Sequence, residues 1–170
     1  MKKIVLAGGC FWGVEEYYRR LKGVTSTRVG YAQGMFKNPS YNQVKTGLTQ
    51  HAEVAEITYD PTIISLEKML EHLLRICDPT SLNRQGGDIG TQYRVGVFAE
   101  NETELAEVKA YIDSRREDYS KPIVLETEVL NEFYDAEEYH QRYLVKNPSG
   151  YCHVNMRLIK PEELKEEYRK

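Results

Sequence analysis

The chain has 170 residues, 41% of them hydrophobic and 29% charged, with 23 basic against 26 acidic side chains and a net charge of −3. This is the length of one ordinary domain, able to bury roughly 70% of the surface its unfolded form exposes. The composition argues against disorder, and no positive excess is present to hold nucleic acid or an anionic membrane.

Residues 4–7 form a short apolar run that ends at Gly8-Gly9 and reads as a buried strand. A helix is expected over 11–21, stopped by Gly23, and a second strand over 24–30. Residues 33–50 are polar and long for a passive connection. Alternation over 52–60 predicts a third strand. Leu66, Met69, Leu70, Leu73, Leu74 and Cys77 fall on one helical stripe. A glycine-rich polar loop covers 80–92, a fourth strand 93–99, a charged surface helix 102–118 and a fifth strand 123–129. Asp135 and Glu138 have capping-box spacing for a helix that would carry Ala136, Tyr139, His140, Tyr143 and Leu144 on one face. The order βαββαβ, followed by a helix, a strand and a helix, predicts a ferredoxin-like α/β sandwich around a mixed sheet. A doubly wound parallel sheet is the competing fold. Residues 1–150 are expected to form a single catalytic domain, with 151–170 a tail lying on it.

The three cysteines, Cys10, Cys77 and Cys152, are too few for a disulfide scaffold and include no C-x-x-C pair. The opening apolar run is shorter than a signal peptide requires, and nothing approaches a ~20-residue membrane span. A soluble cytoplasmic protein with working thiols is expected. The sharpest feature is Gly9-Cys10-Phe11-Trp12-Gly13, which places Cys10 at a strand-to-helix turn. Unpaired N–H groups at a helix start favour an anion, so the Cys10 thiol is expected to have a lowered pKa. Glu15 and Glu16 would work mildly against that shift. Glu53 shares a strand face with Ala55, Ile57 and Tyr59, where desolvation would keep a carboxyl protonated as a general acid. A strand-end carboxylate reaching solvent is the bland alternative. Residues 83–94 look like a binding loop on glycine hinges, or an ordinary surface loop. His51, His72, His140 and His153 have no ligand spacing, so no metal is expected; His72 and His140 read as packing residues. Three functions fit these residues: a thiol redox enzyme, a cysteine hydrolase using His51 or His140, and a binding module with an inert cysteine.

The motif set resembles the peptide methionine sulfoxide reductase A family. Beside the Cys10 segment, agreement runs through Gly30-Tyr31-Ala32, Asn38-Pro39-Ser40-Tyr41, His51-Ala52-Glu53-Val54, Asp78-Pro79-Thr80, Asn83-Arg84-Gln85-Gly86, Gly90-Thr91-Gln92-Tyr93-Arg94 and Tyr139-His140-Gln141. The resemblance implies reduction of the S epimer of methionine sulfoxide, free or in proteins. Cys10 would attack the sulfur and Glu53 would protonate the oxygen, which Tyr41 and Tyr93 would bind. Phe11 and Trp12 would receive the S-methyl group, with Asp88 in the same pocket. Cys10 would be left as a sulfenic acid, resolved by a second thiol and recycled by thioredoxin, or by dithiothreitol in vitro. Cys152, in a hinge-rich tail, is preferred to Cys77 on a core stripe. No bound cofactor or metal is implied, and a monomer is expected. Four positions depart from the family pattern: Gln33 and Gln50 where glycine is usual, Gly87 where asparagine is common, and Cys77 where a histidine often precedes Asp78.

Overall fold

The computed structural model describes residues 1–35 and 37–169, so the last residue of the expected tail lies outside it. Six strands form one sheet: β1 (Lys2–Gly8), β2 (Val24–Ala32), β3 (Ala52–Tyr59), β6 (Val95–Ala99), β7 (Glu126–Val129) and β8 (Phe133–Asp135). A separate two-residue hairpin joins β4 (Arg84–Gln85) to β5 (Asp88–Ile89). The sheet order is β7-β6-β1-β3-β2-β8. Strand β6 is parallel to β7, and every other pair is antiparallel. The inner four strands reproduce the expected ferredoxin-like core, and β7 and β8 extend its two edges.

Period-two alternation divides the strands between two faces. Ile4, Leu6, Ala55, Ile57 and Tyr59 join the main core, whereas Val5, Ala7, Ala52 and Val54 form a small cluster on the other side. The main core is closed by α1 (Phe11–Arg19), α3 (Leu66–Ile76) and α4 (Glu102–Arg115). On α3 the predicted stripe buries Leu66, Met69, Leu70 and Leu73, each worth roughly 1.5–3 kcal/mol. Cys77 is the extended C-cap of this helix rather than part of it.

The expected helix after Asp135 is the largest departure. Asp135 ends β8, residues Glu138–His140 form a single 3₁₀ turn, and α5 (Tyr143–Lys146) is one turn long. Between them Arg142 takes a left-handed φ of 50°. Tertiary hydrogen bonds outcompete the helix here. The Gln141 amide binds both Val29 backbone groups and the Ala136 carbonyl, and the Arg142 N–H donates to Glu15. Tyr93 belongs to a 3₁₀ turn rather than to the fourth strand, and β7 begins at Glu126 rather than at residue 123.

The tail packs back on the domain through Glu163. Its carboxylate takes Arg75 at 2.7 Å and Lys68 at 3.1 Å, and its carbonyl accepts from the Lys22 N–H. Burial opposes its charge, but the Arg75 hydrogen bonds prevail and bring its pKa to about 2. Beside it the buried His72 shares a 2.6 Å hydrogen bond with the Tyr17 hydroxyl, the structural role expected of it.

Candidate active site

Cys10 is the N-cap of α1, reached from β1 through Gly8 and Gly9. Gly9 has φ +92°, and a Cβ there would stand 2.8 Å from His153 Nε2. The strand-to-helix turn is therefore where expected, but its effect on the thiol is not. Burial pushes the Cys10 pKa far up, and the charges of Glu53, Asp88 and Cys152 add to the rise. Against these, the backbone N–H of Trp12 acts in the thiolate's favour. One or two amide dipoles do not compensate for desolvation plus a neighbouring carboxylate. Glu15 and Glu16 are not responsible: Glu15 accepts from Thr27 and the Arg142 N–H, and Glu16 pairs with Arg19 and Arg20.

Glu53 is the second residue of β3, directly opposite Tyr31 of β2, and only 2% exposed. Burial raises its pKa to about 8, with the Asp88 charge contributing, against the lowering effect of a 3.2 Å hydrogen bond from the Phe11 N–H. Of the two sequence readings, the buried acid is the one the strand adopts.

Tyr41 begins the short helix α2 (Tyr41–Lys45), capped by the Ser40 side chain. Burial raises its pKa to about 12, with Glu53 and Cys10 next in effect. Tyr93 is raised by burial and then by Glu53, Tyr41, Asp88 and Cys10. Cys10, Tyr41 and Tyr93 each feel the charges of Glu53 and Asp88, which sets these five groups near one another. The hairpin that carries Asp88 is fixed by Gln85, whose amide makes two 2.9 Å hydrogen bonds with the backbone of Asp78. Phe11 is fully buried against Tyr31 and His140, while Trp12 is half-buried.

Around these groups, Glu137 and Tyr143 have no site role assigned from sequence, and His140 is read there as a packing residue or a hydrolase base. His140 Nδ1 accepts from the Trp12 indole N–H at 3.0 Å, and Tyr143 stacks on the indole with centroids 3.7 Å apart. Glu137 accepts from the Tyr31 hydroxyl and from the Tyr41 N–H. His140 and Tyr143 lie on the expected Tyr-rich face of a helix that does not form, and His140 also belongs to the Tyr139-His140-Gln141 motif; Glu137 carries no sequence signal. His51 packs edge-on to Tyr134, away from the Trp12–His140 contact. Cys152 lies over α1, with Sγ 3.2 Å from where a Cβ of Gly13 would stand. Cys77 is buried beside Asp78, and burial pushes its thiol pKa up; its titrating neighbours are Tyr18 and Tyr119 rather than Cys10. All three cysteines are free thiols. Among the described residues no group of three His, Cys, Asp or Glu side chains could hold a metal ion, and no helix is long and apolar enough to cross a membrane.

A ferredoxin-like sandwich that sets one thiol near a buried carboxyl and two tyrosines is an architecture suited to an enzyme of thiol chemistry. A family model described as peptide methionine sulfoxide reductase matches residues 2–170. A peptide methionine sulfoxide reductase MsrA of Clostridium botulinum (strain Loch Maree / Type A3) is 55% identical over 156 residues, 92% of this chain and 99% of the relative. The fold is similar to that of Mxr1 from Saccharomyces cerevisiae in reduced form, with TM-score 0.84 and 40% identity over 91% of each chain. It is also similar to Mxr1 in complex with Trx2, with TM-score 0.59 and 31% identity over 84% of each chain. The chain belongs to the peptide methionine sulfoxide reductase family.

Proposed function

We propose that this chain reduces the S epimer of methionine sulfoxide, free or within proteins, with Cys10 as nucleophile and Glu53 as general acid. The observation that carries the assignment is the buried Glu53 carboxyl, raised to about 8 beside the Cys10 helix turn. A sulfoxide oxygen is a strong acceptor and leaves readily only when protonated. An acid still protonated near neutrality, with the Tyr41 and Tyr93 hydroxyls beside it, matches that demand.

In this reading Cys10 supplies the electron pair that forms the bond to sulfur, and Glu53 gives its proton to the oxygen. A protonated Glu53 also removes the largest charge opposing the Cys10 thiolate. The oxygen ends on Cys10 as a sulfenic acid, the cysteine is oxidised by two electrons, and methionine leaves. Phe11 and Trp12 supply the apolar wall for the S-methyl group, with the indole braced by His140 and Tyr143. Cys152 then forms a disulfide with Cys10, which a dithiol such as thioredoxin reduces by exchange. The Trx2 complex of the yeast relative supports that reductant. We read residues 1–150 as the catalytic unit, 151–170 as the tail bearing the resolving thiol, and the protein as a cytoplasmic monomer.

The hydrolase reading requires His51 or His140 as a base at Cys10, but His140 accepts the Trp12 indole N–H on Nδ1, which leaves its proton on Nε2, and His51 packs on Tyr134. The test offers each sulfoxide epimer separately, first with dithiothreitol and then with thioredoxin. The S epimer is expected to be consumed with both reductants and the R epimer with neither. Failure to reduce the S epimer overturns the proposal.

A further inference from the structure

The two glycines that bracket the active-site turn both face the same stretch of tail. A Cβ on Gly9 would meet His153 Nε2 at 2.8 Å. A Cβ on Gly13 would meet Val154 Cγ2 at 3.0 Å, Cys152 Sγ at 3.2 Å and His153 Nδ1 at 3.3 Å. Gly9 needs glycine in any case for its φ of +92°, but Gly13 sits inside α1, where a glycine costs about 1 kcal/mol relative to alanine. Its purpose is close approach. Position 13 lies three residues beyond Cys10, on the same helical face.

The tail is pinned on each side of Cys152. Before it, the Tyr151 hydroxyl donates to Asp88 Oδ2 at 2.9 Å, although the Tyr151 ring is 49% exposed. After it, His153 Nε2 hydrogen-bonds the carbonyl of Gly8 at 2.8 Å, two residues before Cys10. One pin reaches the β5 hairpin and the other reaches the end of β1. Two independent attachments flank one cysteine, and Gly13, the one glycine of α1, faces that cysteine.

We propose that Tyr151, His153 and Gly13 form a seat for the resolving thiol: the two side chains fix the tail on either side of Cys152, and the bare helix surface at Gly13 lets its sulfur lie one turn from Cys10. They are positioning residues, and their role rests on Cys152 being the resolving cysteine. The step they serve is attack of the Cys152 thiol on the Cys10 sulfenic sulfur. The S–S bond forms, the S–O bond breaks, and hydroxide leaves with the Cys152 proton as water.

Single-turnover reactions of Tyr151→Phe, Gly13→Ala and Cys152→Ser test the seat, with methionine release and disulfide formation followed separately. In Tyr151→Phe and Gly13→Ala, methionine release is expected to stay within about threefold of wild type, while disulfide formation slows about tenfold, the scale of one hydrogen bond to a charged group. The dimedone-trappable sulfenic acid on Cys10 then persists correspondingly longer. Tyr151→Phe alters a half-exposed side chain, so it decides the matter even if Gly13→Ala fails to fold. A wild-type disulfide rate in Tyr151→Phe, or equal slowing of methionine release, overturns the proposal. Disulfide formation that survives in Cys152→Ser overturns the underlying assignment instead.

Discussion

The backbone N–H of Phe11 donates to Glu53 Oε1 across 3.2 Å, joining the first turn of the helix that presents Cys10 to the strand that carries the acid. The two groups are 42 residues apart in sequence. The hydrogen bond favours the carboxylate, burial favours the acid, and burial prevails. The same contact fixes the carboxyl beside the helix start, so the proton donor and the thiol share one rigid junction.

Glu53→Gln keeps the shape and an acceptor for Phe11 but cannot give up a proton. The reductive step is expected to slow roughly 10²–10⁴-fold, the usual worth of a general acid. In wild type the rate should fall as pH rises through about 8, where Glu53 loses its proton. The variant should lack that limb. Stopped-flow single turnovers across pH 6–10 (roughly two units either side of the raised pKa) read both effects.

The same substitution should stabilise the fold in alkali. An unfolded glutamate titrates near ~4.3, whereas the folded group titrates near 8. The folded state therefore binds the proton more tightly, and its stability declines as pH rises between these two values. Glu53→Gln removes that decline. Its gain over wild type is expected to be on the order of a few kcal/mol above pH 8 and to vanish near pH 4. Urea titrations at the two pH values measure the difference.

Cys77 and Cys152 are expected to separate cleanly. Cys152→Ser should release about one methionine per enzyme and then stall, with Cys10 held as a sulfenic acid. Cys77→Ala should lose roughly 1–2 kcal/mol of stability from its buried site yet retain turnover with thioredoxin. Methionine yield per enzyme, measured with and without thioredoxin, distinguishes the two thiols.

Element order and motif spacing made the inner four strands and the Cys10 turn legible, because strand period and helix stops are local signals. Glu53 was legible as a residue on an apolar face, but whether that face met solvent depended on packing from Phe11 and β2. The Cys10 pKa differs from the sequence expectation because the sequence displays the helix dipole but not the burial of the thiol, nor the carboxyl that the fold sets beside it. Residues 136–146 were misread because Gln141 and Arg142 bond to Val29 and Glu15, more than a hundred positions away. The Tyr151–Asp88 contact had no local signal at all.

Gln33 and Gln50 are both left-handed, with φ 60° and 57°, a conformation that favours glycine. Gln33 offsets its strain with hydrogen bonds to Glu128, the Val129 carbonyl and the Asn131 N–H, which tie the end of β2 to the β7 edge. Gln33→Gly would relieve the backbone but lose those bonds. A net loss of about 1 kcal/mol is expected, seen as a melting point roughly 2–4 °C lower.

The most direct measurement is a stoichiometric reaction of reduced wild type and Cys10→Ser with the S epimer, with no added reductant, followed by methionine yield and thiol count. Wild type is expected to give about one methionine while losing the thiols of Cys10 and Cys152 to the disulfide, whereas a serine hydroxyl cannot replace the thiolate. Cys10→Ser, folded as shown by circular dichroism, is expected to give none and to keep its remaining thiols. Methionine released by Cys10→Ser at the wild-type rate would contradict the assignment of Cys10 as the nucleophile.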